Sequence, residues 1–152
     1  TTPSPEDQVR AAYELRYRGY WECLRQPLNC DTSYLLEGSG SAEGLHATMQ
    51  ALADRDRYVG ADDVGYYVIE SIDFVDGGAT ALVTACWWST AVLYGAPIDP
   101  NRPAGPDNAP TIVNNTPGSI LILDTMRTDS SSDWKLAGSR SQSEKPEVNE
   151  CS

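Results

Sequence analysis

Ala79-Thr-Ala-Leu-Val-Thr-Ala-Cys-Trp-Trp-Ser-Thr-Ala-Val-Leu-Tyr94 is the longest β-favouring run in the chain, and it carries Cys86 at its middle. Side chains of a strand alternate between two faces, so Ala79, Ala81, Val83, Ala85 and Trp87 share one face and Thr80, Leu82, Thr84, Cys86 and Trp88 the other. Both sets are largely apolar or small, the pattern of a central strand covered on both sides. The Thr, Val and Trp content argues against a buried helix, because such side chains suit a pleated surface better.

Just upstream, Tyr66-Tyr-Val-Ile-Glu-Ser-Ile-Asp-Phe-Val75 reads as a strand that turns at Asp76-Gly-Gly78 into the central run, a hairpin. Downstream, the stretch from Gly95 to Gly118 holds six of the ten prolines. A loop is therefore expected over 96–118, with regular structure only around Thr111-Ile-Val113. Ile120-Leu-Ile-Leu-Asp-Thr-Met-Arg127 and Trp134-Lys-Leu-Ala-Gly-Ser-Arg140 follow as strands, and 141–150 run out as an extended tail.

The segment before the hairpin changes period. Ser4-Pro5-Glu6-Asp7 supplies an N-cap, a proline at the first helical position and acids for the first turn. Val9, Ala12, Tyr13, Tyr17, Tyr20 and Leu24 then recur at helical spacing, with Arg10, Arg16, Arg18 and Arg25 mostly off that stripe. A short helix is expected over Asp31-Thr-Ser-Tyr-Leu-Leu36, ended by Gly38-Ser-Gly-Ser41. A second long helix is expected from about Ala42 to Arg57, burying Leu45, Met49, Leu52 and Ala53.

At 152 residues the chain is read as one domain, 1–152, with 1–4 extended. A net charge of −11 argues against nucleic acid and anionic membrane as partners, since phosphates are neutralised by Lys and Arg; its simplest meaning is solubility. No transmembrane segment is present. Four cysteines without a C-x-x-C pair, beside a single histidine, give zinc too few ligands and point to disulfides. Three pairings are possible; spacing favours Cys23 with Cys30, because Pro27 breaks the helix between them, leaving Cys86 with Cys151. Disulfides imply an oxidising compartment, and Thr1-Thr-Pro-Ser-Pro5 is read as the start of a secreted, trimmed or surface-tethered form.

Several motifs fall short. Gly38, Gly40 and Gly44 miss the spacing of a dinucleotide loop, and Ser41 lacks the preceding glycine of a nucleophile elbow. The acids between Asp54 and Asp63 have a misplaced glycine for a calcium loop. No cofactor and no metal are expected.

Two helices followed by a strand meander ending in Trp134-Lys-Leu-Ala-Gly-Ser resemble the nuclear-transport-factor-2-like, cystatin-like cone superfamily, which includes SnoaL-like proteins. The chain is similar in particular to secreted actinobacterial members of unknown function, in which a middle-strand cysteine is matched by one at the extreme C-terminus, here Cys86 and Cys151. The Cys23 and Cys30 pair and the proline-rich excursion depart from the plain pattern. The resemblance implies an α+β fold: a curved, mostly antiparallel sheet forming a cone, packed against two long N-terminal helices and one short one. Members include isomerases, epoxide hydrolases and cyclases as well as binding domains, so fold alone does not choose among them.

Within such a cone Tyr13, Tyr17 and Tyr20, with Trp87 or Trp88, are candidate ligand-binding residues or simple core. Glu70 and Asp124 each share a face with apolar strand residues, which makes them candidate general acids or bases if desolvated. The commoner alternative is pairing with Arg127 or an arginine of the first helix. His46, beside the buried stripe of the second helix, is a third catalytic candidate or a rim residue. The leading expectation is a non-catalytic domain that binds a small apolar molecule or a protein partner. The alternatives are an isomerase, cyclase or epoxide-type hydrolase using a buried carboxylate, and a structural domain forming a homodimer through its sheet.

Overall fold

A computed structural model describes residues 2–152, so of the expected extended stretch 1–4 Thr1 lies outside the described residues. The first helix, α1 (Pro5–Arg25), starts where its sequence signals place it: the Asp7 amide donates to Ser4 Oγ at 3.1 Å, with Glu6 and Asp7 in the first turn. Its buried face holds Val9, Tyr13, Tyr17 and Leu24, and also Trp21 and Arg16. Arg16 thus belongs to the inward stripe, contrary to the expectation that it lies off it. Its distance of three residues from Tyr13 and four from Tyr20 puts it there.

The expected short helix over 31–36 is not formed. Its Asp31 carboxylate instead accepts from the Ser33 amide at 2.8 Å, turning the chain, and Leu35 forms a bridge with Leu136. The Leu36 amide donates to the Leu136 carbonyl at 2.8 Å, and the Leu136 amide to the Tyr34 carbonyl at 2.9 Å. Burial of Tyr34 and Leu35 goes with this pairing, which a lone helical turn would forgo. The second helix, α2 (Gly40–Asp54), begins slightly earlier than expected because Ser39 caps it, accepting from the Ala42 amide at 3.2 Å. It ends before Arg57, where Asp56 takes a positive φ of 53°.

The strands are β1 (Tyr58–Val59), β2 (Gly65–Val75), β3 (Thr80–Ser89), β4 (Leu93–Pro97), β5 (Pro110–Asn114), β6 (Gly118–Thr128) and β7 (Trp134–Pro146). They form two antiparallel sheets, a four-stranded one in the order β2-β3-β6-β7 and a three-stranded one in the order β1-β4-β5, which do not close into a barrel. The fold is α+β and its strands are antiparallel, as expected, and they are divided between two sheets. The opening run is divided between them: its first part is β3, paired from Thr80↔Arg127 to Ser89↔Gly118 with β6, and Leu93 onward enters the other sheet. Gly77, at φ 67°, turns the chain between β2 and β3.

β3 is central to its sheet, but its faces are not equally covered. Ala81, Val83, Ala85 and Trp87 are buried against the helices, whereas Leu82, Thr84 and Trp88 on the opposite face are half-buried. On that outer face the C-terminal segment lies as a strap. Ser119 Oγ donates to the Val148 carbonyl at 2.6 Å, Asn149 Nδ2 to Tyr66 Oη at 2.8 Å, and Cys151 is bonded to Cys86. The other disulfide joins Cys23 to Cys30, the pairing that spacing favours. β7 continues to Pro146, so 141–146 are strand rather than tail. In the proline-rich excursion, β5 forms around the expected Thr111-Ile-Val113, and buried Asn108 ties the intervening turn by donating to the carbonyls of Asp99, Arg102 and Pro103.

Candidate functional site

The space between α1 and the inner face of β2 and β3 is filled by rings. Tyr17 lies 4.6 Å from Tyr67 and 4.8 Å from Trp87 between centroids, and Tyr13 lies 5.2 Å from Tyr67. Such edge-on and tilted contacts are favourable aromatic geometries. Trp87 Nε1 donates to Tyr13 Oη at 3.0 Å and Tyr67 Oη to Glu14 Oε2 at 2.6 Å, while Tyr17 Oη is buried without a protein partner. Tyr13 and Trp87, candidate ligand residues from the sequence, are therefore core. Trp88 points to the outer face, since it pairs with Tyr66 across the strand while Trp87 pairs with Tyr67.

The two carboxylates part company. Between Ile69 and Ser71 the register of β2 against β3 shifts, and Glu70 is the extra residue of the bulge. The shift moves the inward parity from Tyr67 and Ile69 to Ile72 and Phe74, leaving Glu70 exposed instead of facing the core with Ile72. Asp124 does face inward, fully buried at 0% exposure, and Arg16 of α1, at 4%, is its partner. Arg16 Nε donates to Asp124 Oδ2 at 2.9 Å and Nη2 to Oδ1 at 3.4 Å, with a further bond from Nη2 to Ser139 Oγ at 3.3 Å. Burial alone would lower the Arg16 pKa, but the adjacent Asp124 carboxylate outweighs it and the net direction is upward. The guanidinium also lies 4.7 Å from the Trp87 ring centroid and 5.4 Å from that of Tyr20. His46 is exposed on α2. None of the three catalytic candidates is an inward, unpartnered acid or base.

A slot of about 390 Å³ opens beside this pair, between α2 and β7. Its walls mix small and branched residues: Gly40, Ser41, Gly44, Leu45 and Thr48 from α2, and Leu136, Gly138 and Ser139 from β7. Arg16, Tyr20 and Tyr34 complete it on the side of α1. Tyr34 is set there by Gly19, whose missing Cβ leaves room for the tyrosine ring. Two polar atoms of these lining residues are buried with no protein partner, Arg16 Nη1 and Tyr34 Oη. With Nε and Nη2 turned to Asp124, Nη1 lies on the opposite edge of the planar guanidinium, its donors unused. Burial pushes the Tyr34 hydroxyl up to about 12, so it is protonated at neutral pH.

A second depression of about 430 Å³ follows the solvent side of α1, bordered by Leu15, Arg18 and Glu22 and reaching Tyr17 and Trp21. Two of its lining residues, Tyr17 and Trp21, also carry a buried polar atom without a protein partner, Tyr17 Oη and Trp21 Nε1. Of the five aromatic candidates, Tyr20 lines the slot and Tyr17 this depression; Arg16 and Tyr34 of the slot were not singled out from sequence. The available signal was an inward carboxylate at Asp124 in need of an arginine at helical spacing from Tyr13 and Tyr20.

No group of three or more His, Cys, Asp or Glu converges as a metal site among the described residues. Among the described residues no helix is long and apolar enough to cross a membrane. No family model matches the sequence, and no curated protein matches it. Among solved structures, the intermembrane space region of chloroplast protein ARC6 is similar, with a TM-score of 0.64 over 93% of this chain and 98% of that one at 12% identity. That likeness concerns the fold.

Proposed function

We propose that the chain is an extracytoplasmic, nuclear-transport-factor-2-like domain that binds a small molecule without transforming it, in the slot between α2 and β7. The observation carrying this is a cavity of about 390 Å³ in which Arg16, Tyr20 and Tyr34 meet Leu35, Leu45 and Leu136 and the small residues of α2 and β7. A cavity with a few convergent polar groups among apolar walls is the usual form of a ligand site. Its volume sits near the small end of the usual range of about 300–1,000 Å³. Supporting the non-catalytic side, Asp124 is engaged by Arg16 through both oxygens and Glu70 is out in solvent, so proton transfer by either lacks a poised group. The disulfides support an oxidising, extracytoplasmic setting, and secretion is part of the proposal.

Gly44→Phe tests it. A Cβ at Gly44 meets nothing within 4 Å, so a larger side chain is accommodated without a clash beside the slot that Gly44 lines. Thermal denaturation against a small-molecule library is expected to give compounds that raise the Tm of the native protein and leave Gly44→Phe unmoved. A library whose hits act equally on both proteins, or that yields no hit, overturns the slot as the site.

A further inference from the structure

β5 is the outer strand of the three-stranded sheet, and it stands in water with apolar side chains showing. Thr111, Ile112, Val113 and Asn114 are all exposed, Ile112 at 59% and Val113 at 41%. Ile98, whose amide donates to the Ala109 carbonyl at 3.2 Å, is exposed at 77%. Ile112 pairs with Tyr94 on one face of the sheet, and Thr111 and Val113 lie against Gly95 on the other. Branched apolar side chains are thus left in water on both faces of one strand, and among the described residues none of β5 belongs to the core.

We infer that β5 pairs with β5 of a second copy, antiparallel across a two-fold axis near Ile112, so that two three-stranded sheets continue as one. This is a contact of strand edges, separate from the slot and from a dimer formed through a sheet face.

The argument starts from the edge itself. An outer strand leaves alternate backbone amides and carbonyls without a strand partner, and folds ordinarily protect such margins with charge. The long margins here follow that rule: β2 carries Glu70 and Asp73, and β7 carries Arg140, Glu144 and Lys145. β5 does not, and no charged residue occurs from Asn108 to Leu123. The missing charge also selects the occupant. A partner recognised by charge finds no anchor on this strand, whereas two chains at −11 each approach at least cost where neither presents an acid. Pairing about Ile112 sets Thr111 opposite Val113 and Pro110 opposite Asn114, so β-branched side chains meet and no like charges oppose. A two-fold contact uses the same edge on both copies and therefore closes at two. Pro110 lacks an amide and the register of β5 against β4 shifts beside Tyr94, so the added pairing is short. The dimer is accordingly weak, with an interface below about 1,000 Å² and half-dissociation at roughly 0.1 mM.

Sedimentation over a concentration series of about 0.01 to 1 mM brackets that value. A reversible monomer–dimer equilibrium without larger species is expected. Ile112→Lys sets two ammonium groups at the axis and is expected to weaken association at least about tenfold, with the Tm unmoved because the side chain is mostly exposed. Leu123→Lys, on the outer face of the four-stranded sheet with Thr84, is expected to associate like the parent. Ile112→Cys provides a measurement that does not depend on the lysine variant folding well: the native cysteines are all in disulfides, so the new thiol is the one available. In a buffer of reduced and oxidised glutathione it is expected to link two copies as a covalent dimer, with Leu15→Cys, at an exposed position on α1, remaining unlinked. A protein that stays monomeric throughout the series, open-ended association, or Ile112→Cys linking no faster than Leu15→Cys overturns the inference. A dimer weakened by Leu123→Lys and indifferent to Ile112→Lys overturns it as well and places the contact on the sheet face.

Discussion

Among the described residues, Arg16 and Asp124 are the two charged side chains taken out of water, and each is tolerable only because of the other. Desolvating an isolated ion costs several kcal/mol even after relaxation, whereas the bidentate contact and the Ser139 bond return much of it. Asp124→Leu therefore does more than delete a contact, because it strands a buried guanidinium. A loss of about 3–5 kcal/mol in urea denaturation is expected. The double variant Arg16→Met with Asp124→Leu replaces both charges with apolar volume and should recover most of that loss. If the single variant costs no more than the double, the pair is not coupled as its geometry implies. Glu70, the other acid that alternation alone would place inward, stands on the exposed bulge, and Glu70→Gln should stay within about 0.5 kcal/mol of the parent.

At the scale of elements, the outer face of β3 is closed by the C-terminal strap, whose fastenings are the Cys86 to Cys151 bond and the hydrogen bonds at Ser119 and Tyr66. The bond closes a long loop of 65 residues in sequence separation, so the double variant Cys86→Ala with Cys151→Ala should lose about 2–5 kcal/mol. Hydrogen exchange is expected to rise first over 147–152 and only later in β3; simultaneous loss in both would show that the strap is part of the core instead. The elements themselves were readable where their cause is local. The Ser4 cap, the Gly77 turn, and the alternation of β3 and of Ile122, Asp124 and Met126 in β6 all follow from neighbours in sequence. What escaped reading has a distant cause. The bulge at Glu70 is a matter of register against β3, the loss of the expected helix over 31–36 accompanies pairing of Leu35 with Leu136, and the inward turn of Arg16 answers Asp124. The division of the opening run between two sheets is of the same kind, because both halves are strand and only their partners differ. The slot was therefore hidden, although the tyrosine stripe beside it was visible.

For the molecule as a whole, the tyrosines packed around α1 tie stability to alkaline pH. Burial pushes the Tyr34 hydroxyl up to about 12. Tyr13 is raised too, first by burial and then by the Asp124 carboxylate, and Tyr67 by burial and by its bond to Glu14. In the unfolded chain these phenols ionise near 10. Folding thus favours their neutral forms, and the stability they contribute is fully present below about pH 10 and lost as pH rises through the folded-state values. The free energy of unfolding is expected to be nearly level between pH 7 and 9 and to fall steeply above about 10, with the tyrosinate absorbance of these residues appearing only as the chain unfolds. Growing negative charge is a competing cause, since a chain at −11 repels itself more as tyrosines ionise. Salt separates the two, because it screens surface repulsion and leaves the cost of burying a phenolate. Tyr34→Phe removes one ionising group and should make the fall shallower at either salt concentration. If high salt abolishes the fall, or if the tyrosinate signal grows near pH 10 while the chain stays folded, general repulsion governs alkaline unfolding and the buried cluster does not.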